Sequence, residues 1–335
     1  MKLAAKAPCR VDVAGGTLDI WPLYLYHPGS VTVNFAITRY ARCVLGTRSD
    51  SQIILCSHDL ADQETFQSLA ALKAARRYRC PLPAHLIRFF SPQTGFELHT
   101  DSEAPAGAGI AGSSTLIIAI VSALNRLTRA GYRLEQLREI SQNIEAQLIR
   151  VPTGSQDYYP AMYGGVGAVE LGVAGIVRKP IPVDLADFNE RIVLAYTGLP
   201  RQSGINNWEV MKAHINGDGA VHRNFDRIAA IAQAMRGALE RGDWEEAGRL
   251  LRQEWEHRRR NIPTISTPLI DRLVKATRRA GAAGAKACGA GGGGCVFFLV
   301  ERGAKERVSA VIEREGATVL PVRVEPRGVR VRTLD

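Results

Sequence analysis

Apolar and polar positions alternate through the first forty residues, with Val11 and Val13, then Val31, Val33, Phe35 and Ile37, on a two-residue period. That period predicts two early strands, joined through the glycine-bearing turn AGGTLDIWP, which carries Asp19. Ala41 to Leu55 is again strand-like, whereas Leu60 to Arg79 is polar and alanine-rich and reads as helix or excursion. A short strand around Phe96 and Leu98 ends at Pro105, and the loop GAGIAGSST with the apolar stretch LIIAIVSALNRL follows it. Strand, glycine loop and helix thus succeed one another. A second helix is predicted from about Leu134 to Leu148, then the turn-rich VPTGSQDYYPAMYGG and the strand-like GVGAVEL.

Charged and proline-bearing residues from Arg178 to Asn189 mark a boundary, and two lobes are expected, 1–185 and 186–335. Beyond it IVLAYTG reads as a buried strand. Amphipathic helices are predicted near 221–241, 243–259 and 267–280, with another near 304–315 between GAAGAKACGAGGGGCVFFLVE and the β-rich TVLPVRVEPRGVRVR. Mixed strands and helices of this kind give an α+β class.

Composition adds limits. Hydrophobic residues at 46% and charged residues at 23% describe an ordinary globular chain rather than a disordered one. The run Leu116 to Leu124 falls well short of the roughly 20 apolar residues that cross a bilayer, so no membrane partner is expected. The N-terminus has no secretory apolar stretch, and the six cysteines form no C-x-x-C pair, so a cytoplasmic protein with reduced thiols is expected. The seven histidines show no H-E-x-x-H spacing, which argues against catalytic zinc. A formal charge of +10 favours an anionic partner, whether nucleic acid, acidic lipid or a phosphorylated small molecule, without choosing among them.

The loop PAGAGIAGSST, residues 105–115, has the ingredients of an anion cradle: glycines that let backbone approach closely, then a helix whose first N–H groups face the loop. It fails the Walker A pattern because Ser113 stands where lysine belongs, but Gly107, Gly109 and Gly112 satisfy G-x-G-x-x-G. A dinucleotide-binding dehydrogenase therefore stays open, although helix runs into helix where that fold needs a βαβ unit. The run GAGGGG, residues 289–294, joins apolar segments and must pack beside a core. The segment APCRVDVAGGTLD, residues 7–19, sets Arg10, Asp12 and Asp19 around a glycine pair; Asp12 by itself reads as a solvated charge. Lys286 reads as a helix-end charge, and the basic runs at Arg258 to Arg260 and Arg327 to Arg332 as solvated faces or helix ends.

Taken in order, APCRVDVAGG, PAGAGIAGSST and GAAGAKACGAGGGG resemble the three motifs of the GHMP kinase superfamily. The segments GSQDYYPAMYGG and NIPTISTPLIDRL resemble its sugar-kinase branch, which includes D-glycero-D-manno-heptose 7-phosphate kinase and fucose-type kinases. The resemblance implies a two-lobed α+β fold, with an N-terminal ATP-binding lobe like domain 2 of ribosomal protein S5 and a ferredoxin-like C-terminal lobe.

It also implies roles. Pro105, Gly107, Ala108, Gly109, Ile110, Ala111, Gly112, Ser113 and Ser114 would cradle ATP, and Ser113, with Glu145, would hold Mg²⁺. The sequence reads G-I-A-G-S-S where the family has G-L-G-S-S, so Ser114 stays open as the metal-bound hydroxyl. Asp157 and Arg10 would be the catalytic pair, Asp157 as base or as orienting group for the acceptor hydroxyl. Asp19, Gly15, Gly16, Gly291 and Gly292 would meet the substrate, and Thr197 and Arg201 are candidates for the phosphate side. The expected partner is a sugar or sugar phosphate rather than nucleic acid. Whether the chain acts alone or as a homodimer is left open. A mevalonate-type acceptor is the nearest rival, and TLDIWP, where heptose-type kinases have T-D-x-P-P, puts the acceptor's identity in question. A basic nucleic-acid-binding protein is a rival of another class, though no aromatics interleave the basic runs.

Overall fold

The computed structural model describes residues 1–200 and 205–334. The chain opens with β1 (Lys2–Ala14), β2 (Val31–Thr47), β3 (Ile53–Ser57) and β4 (Asp62–Phe66), then α1 (Leu69–Ala74), α2 (Pro81–Phe90) and β5 (Phe96–Ser102). The predicted glycine-loop helix is α3 (Gly112–Thr128), and the next is α4 (Leu134–Ile149). After them come α5 (Tyr158–Tyr163), β6 (Val166–Gly172), β7 (Gly175–Pro180) and α6 (Leu185–Glu190). The second half runs β8 (Ile192–Tyr196), α7 (Ile205–Ile215), α8 (Gly219–Arg241), α9 (Trp244–Asn261), α10 (Pro268–Arg279), β9 (Ala282–Ala287), β10 (Cys295–Val300), α11 (Lys305–Arg314), β11 (Thr318–Leu320) and β12 (Arg330–Leu334).

The strands form two sheets. The larger follows the order β12-β1-β2-β5-β3-β4, with β6 and β7 extending from β2, and the smaller follows β11-β8-β10-β9. In the smaller sheet every pairing is antiparallel. Its strand, helices, two strands, helix, strand sequence with that order is the split βαβ arrangement of ferredoxin-like domains. Among the described residues of the larger sheet, only β3 with β5 runs parallel. α3 leads into α4 and lies on β1 and β2, so the glycine loop does not open the βαβ unit that a dinucleotide site requires.

The strands of the larger sheet end at Pro180 and those of the smaller begin at Ile192, except at the end of the chain. There Arg330–Leu334 returns to pair with Lys2–Lys6, so the last strand of the 186–335 lobe completes the first sheet. Val11, Val33 and Phe35 of the first sheet share one apolar cluster with Met235, Leu239 and Phe297 of the second half. No helix among the described residues is long and apolar enough to cross a membrane.

Two readings made without a strand meet strands in the structure. Leu60–Arg79 holds a strand, β4, before its short helix, and Lys286 stands on β9 rather than at a helix end. The sequence AAGAKA forms a strand because its small residues let α9 lie close: a Cβ on Gly284 would come 2.7 Å from the Gly248 carbonyl oxygen.

Candidate active site

Arg10 and Asp157, 147 residues apart, form the centre of a cleft of about 430 Å³. Arg10 comes from β1 and is buried, and its Nε and Nη2 donate to Asp157 Oδ1 at 2.9 and 2.7 Å. Nη1 donates to the Gly109 carbonyl at 2.7 Å, and the backbone N–H of Arg10 to the Ile110 carbonyl at 3.1 Å. One arginine therefore fixes both the acid and the glycine loop. Asp157 is the residue before α5, where aspartate ordinarily caps the helix, yet its side chain makes no capping bond and turns to Arg10 instead.

Pro105, Gly107, Ala108, Gly109, Ala111, Gly112, Ser113 and Ser114 line the same cleft. Gly107 and Gly109 have φ of 67° and 80°, and Ala111, just before α3, has φ of 62°. Such angles suit glycine and cost an alanine of order 1 kcal/mol, so the turn into α3 holds local strain. Ile110 departs from expectation: its side chain is fully buried in the core, leaving its carbonyl to receive Arg10.

Glu145 of α4 faces the start of α3. Ser114 Oγ donates to its Oε2 at 3.0 Å, and the Tyr158 hydroxyl donates to the same oxygen. Burial pushes the Glu145 carboxyl up, and among the described residues no lysine or arginine pairs with it. A buried acid without a cation, beside two serine hydroxyls at a helix start, is an oxygen donor set that fits Mg²⁺. Ser114 is buried against Glu145 whereas Ser113 is exposed to the cleft.

Asp19, opposite, is buried at the cleft wall and accepts from the Gln156 backbone N–H at 2.9 Å and its side-chain amide at 3.3 Å. Burial raises its carboxyl to about 6, with Asp157 adding to the rise and the Gln156 N–H opposing it. Gln156 and Asn207 also line the cleft, and Thr17 donates to Asn207 at 3.3 Å. Neither was legible beforehand, since a single amide in a loop or helix carries no motif.

The remaining glycines do different work from that expected. A Cβ on Gly15 would lie 2.1 Å from the Val31 carbonyl oxygen, and one on Gly291 would lie 2.1 Å from Ile265 Cγ1. Gly292 donates its N–H to the Ile265 carbonyl at 2.7 Å. Gly15, Gly291 and Gly292 thus face protein rather than the cleft, and Gly16 packs among Asp12, Arg258 and Gln156. From the C-terminal run it is Gly289 and Ala290 that reach the cleft. Gly294 sits under the ATP-loop candidate, and the Cys295 N–H donates to the Ala108 carbonyl at 2.7 Å. Thr197 donates to the Gly294 carbonyl at 2.9 Å, so it supports that run from behind; Arg201 lies outside the described residues.

Asp12 and Lys286 overturn their readings as solvated and helix-end charges, and Arg258, though in the last turn of α9 as expected, is not solvated. All three are buried, and Asp12 meets Lys286 Nζ at 2.8 Å, Arg258 Nη1 at 3.2 Å, Arg10 Nη1 at 3.5 Å and the Gly289 N–H at 2.9 Å. Lys286 also reaches Glu254 at 3.0 Å. Burial alone opposes charge on Asp12, but Lys286, Arg10, Arg258 and the Gly289 N–H outweigh it and hold the carboxyl well below the usual range. This network joins β1 to α9 and β9 directly behind Arg10.

Comparison with known proteins agrees with this geometry. Residues 69–165 match the family described as GHMP kinases N terminal domain, and residues 235–318 match GHMP kinases C terminal. The D-glycero-alpha-D-manno-heptose 7-phosphate kinase of Campylobacter jejuni is 25% identical over 338 residues, covering 98% of each chain. Among solved structures, a D-glycero-D-manno-heptose 1-phosphate kinase from Bacteroides thetaiotaomicron superposes with a TM-score of 0.80 at 22% identity, covering 99% of both chains. Lactococcus lactis galactokinase complexed with galactose gives a TM-score of 0.81 at 20% identity, covering 98% of this chain and 95% of that one. With its glycine loop, its Arg10–Asp157 pair and both family segments in register along one polypeptide, this chain belongs to the GHMP kinases.

Proposed function

We propose that the protein is an ATP-dependent sugar kinase that transfers the γ-phosphoryl group to a hydroxyl of a sugar or sugar phosphate, of the heptose-phosphate or the fucose and galactose type. The observation that carries this is the convergence of Asp157, Arg10 and Asp19 at the mouth of a glycine loop that opens a helix. Phosphoryl transfer asks a protein mainly to align two oxygens and neutralise spreading charge. Here the loop from Gly107 to Ser114 would hold the triphosphate on the N–H groups at the start of α3. Glu145 with Ser113 or Ser114 would hold Mg²⁺, which neutralises charge on the phosphate oxygens when bound.

Arg10 ties Asp157 by one oxygen only, so Oδ2 is left without a bond to the guanidinium. That oxygen would receive or orient the acceptor hydroxyl, whose oxygen attacks the γ-phosphorus as the bond to the leaving ADP oxygen breaks. Asp19, with Gln156 and Asn207 nearby, would hold other hydroxyls of the acceptor. The working lobes would be 1–185 and 186–335, with the last strand lent back to the first. Six cysteines with no C-x-x-C pair fit a cytoplasmic setting.

The test is ADP release with Mg²⁺ and ATP over a panel of hexoses, heptoses, their phosphates and mevalonate. Turnover confined to sugars or sugar phosphates supports the proposal; turnover confined to mevalonate, or none with any sugar, refutes it.

A further inference from the structure

Away from the cleft, three histidines that are far apart in the chain meet. His27 follows the short helical turn Leu23–Leu25, His214 is near the end of α7 and His222 is in the first turns of α8. Each offers a ring nitrogen, and these atoms lie within 4.8 Å of one another. The linear spacing gave no sign of this because His27 is 187 residues from His214.

The surroundings orient His27 as a ligand. Asp226 Oδ1 lies 2.7 Å from His27 Nδ1. A carboxylate there accepts a hydrogen bond from Nδ1–H and leaves the Nε2 lone pair outward, the carboxylate–histidine pairing found behind metal-bound imidazoles. His27 Nε2 is 2.8 Å from His214 Nε2, so two ring nitrogens confront each other across one proton. The other nitrogen of His214, Nδ1, is buried with no hydrogen-bond partner. His27 and His214 are buried while His222 is partly exposed, which gives an ion a way in.

We propose that His27, His214 and His222 form a site for a transition-metal ion of the zinc class, with Asp226 as the residue that orients His27. Imidazoles on one zinc at about 2.0–2.1 Å place their nitrogens roughly 3.4 Å apart in tetrahedral geometry, so on binding the His27–His214 pair, now at 2.8 Å, opens slightly while the wider separations close. His222, whose Nε2 now lies 2.9 Å from the His214 carbonyl oxygen, must turn to join. The ion would tie the segment after Asp19 to α7, which carries Asn207, and to α8. It would therefore brace the acceptor side of the cleft rather than touch the reacting atoms.

The experiment titrates metal-stripped, full-length protein with Zn²⁺ in excess Mg²⁺, followed by a competing chelator dye and by melting temperature, and repeats it with Co²⁺ for its visible absorption. One equivalent of tightly bound Zn²⁺, a higher melting temperature and a Co²⁺ band typical of tetrahedral nitrogen ligation are expected. Asp226→Ala, at an exposed side chain, should weaken Zn²⁺ about 10–100-fold, and His222→Ala should abolish the Co²⁺ band. The proposal is overturned if the wild-type chain binds no Zn²⁺, or if both variants, folded by circular dichroism, bind it as tightly as the parent.

Discussion

Arg10 Nε and Nη2 both donate to Oδ1 of Asp157, at 2.9 and 2.7 Å, while Nη1 reaches the Gly109 carbonyl at 2.7 Å. The acid and the glycine loop are thereby held by one planar cation, and their separation cannot change without breaking a charge-assisted bond. A lysine in that place offers a point charge and cannot bridge both.

The first prediction concerns turnover. Asp157→Asn keeps the shape of the side chain but removes the carboxylate that would receive or orient the hydroxyl. Steady-state kinetics should show kcat down by about 10²–10⁴ with the KM for ATP little changed. A variant that turns over near the parent rate would deny Asp157 either role.

Asp19 predicts a pH dependence. Its carboxyl is raised to about 6 by burial, so below that pH the folded protein carries a neutral acid where the acceptor would sit. The sugar's KM should rise as pH falls through about 6, while Asp19→Asn should have a high KM that does not vary in that window. For stability the sign is opposite. The unfolded carboxyl loses its proton at a lower pH than the folded one, so this group favours the fold more as pH falls towards 4, and the ionised form costs stability above about 6.

The charge network predicts a stability loss. Asp12→Asn leaves Lys286, Arg258 and Arg10 facing one another without their shared acid. Removing one partner from a buried ionic cluster costs about 3–5 kcal/mol, to be read from urea unfolding midpoints at neutral pH. A loss below about 1 kcal/mol, the value of a surface pair, would mean that water reaches the cluster.

How much of this was legible beforehand depends on how local each signal is. The glycine loop and α3 could be read because anion binding and helix initiation draw on consecutive residues. Asp12 and Lys286 could not, since each is an unremarkable charge until a fold closes 274 residues of chain between them. Their burial is visible in sequence only as the small residues AAGAKA that let α9 approach β9. The glycines of the C-terminal run were recognised as special, but whether a glycine spares room for a ligand or for another backbone is a tertiary fact. Gly291 packs on Ile265, whereas Gly294 packs on the ATP-loop candidate. Gln156 and Asn207 carry no pattern at all, and only the cleft reveals them.

Gly294 supplies the last prediction because it separates support of the loop from contact with ligand. Its φ is 72°, and a Cβ there would lie 2.7 Å from the Ala108 carbonyl oxygen and 2.8 Å from that of Gly107. Gly294→Ala must therefore either shift its own backbone, already in a conformation that disfavours side chains, or push the loop that would hold the phosphates. The loop is the softer of the two, since Gly107 and Gly109 hold it in positive-φ turns while Gly294 is pinned by Thr197 and Leu199. The expected outcome is a KM for ATP raised about tenfold, the equivalent of about 1.4 kcal/mol, with the KM for the sugar unchanged. Equal rises in both constants would show that the C-terminal run braces the whole cleft and not the glycine loop alone.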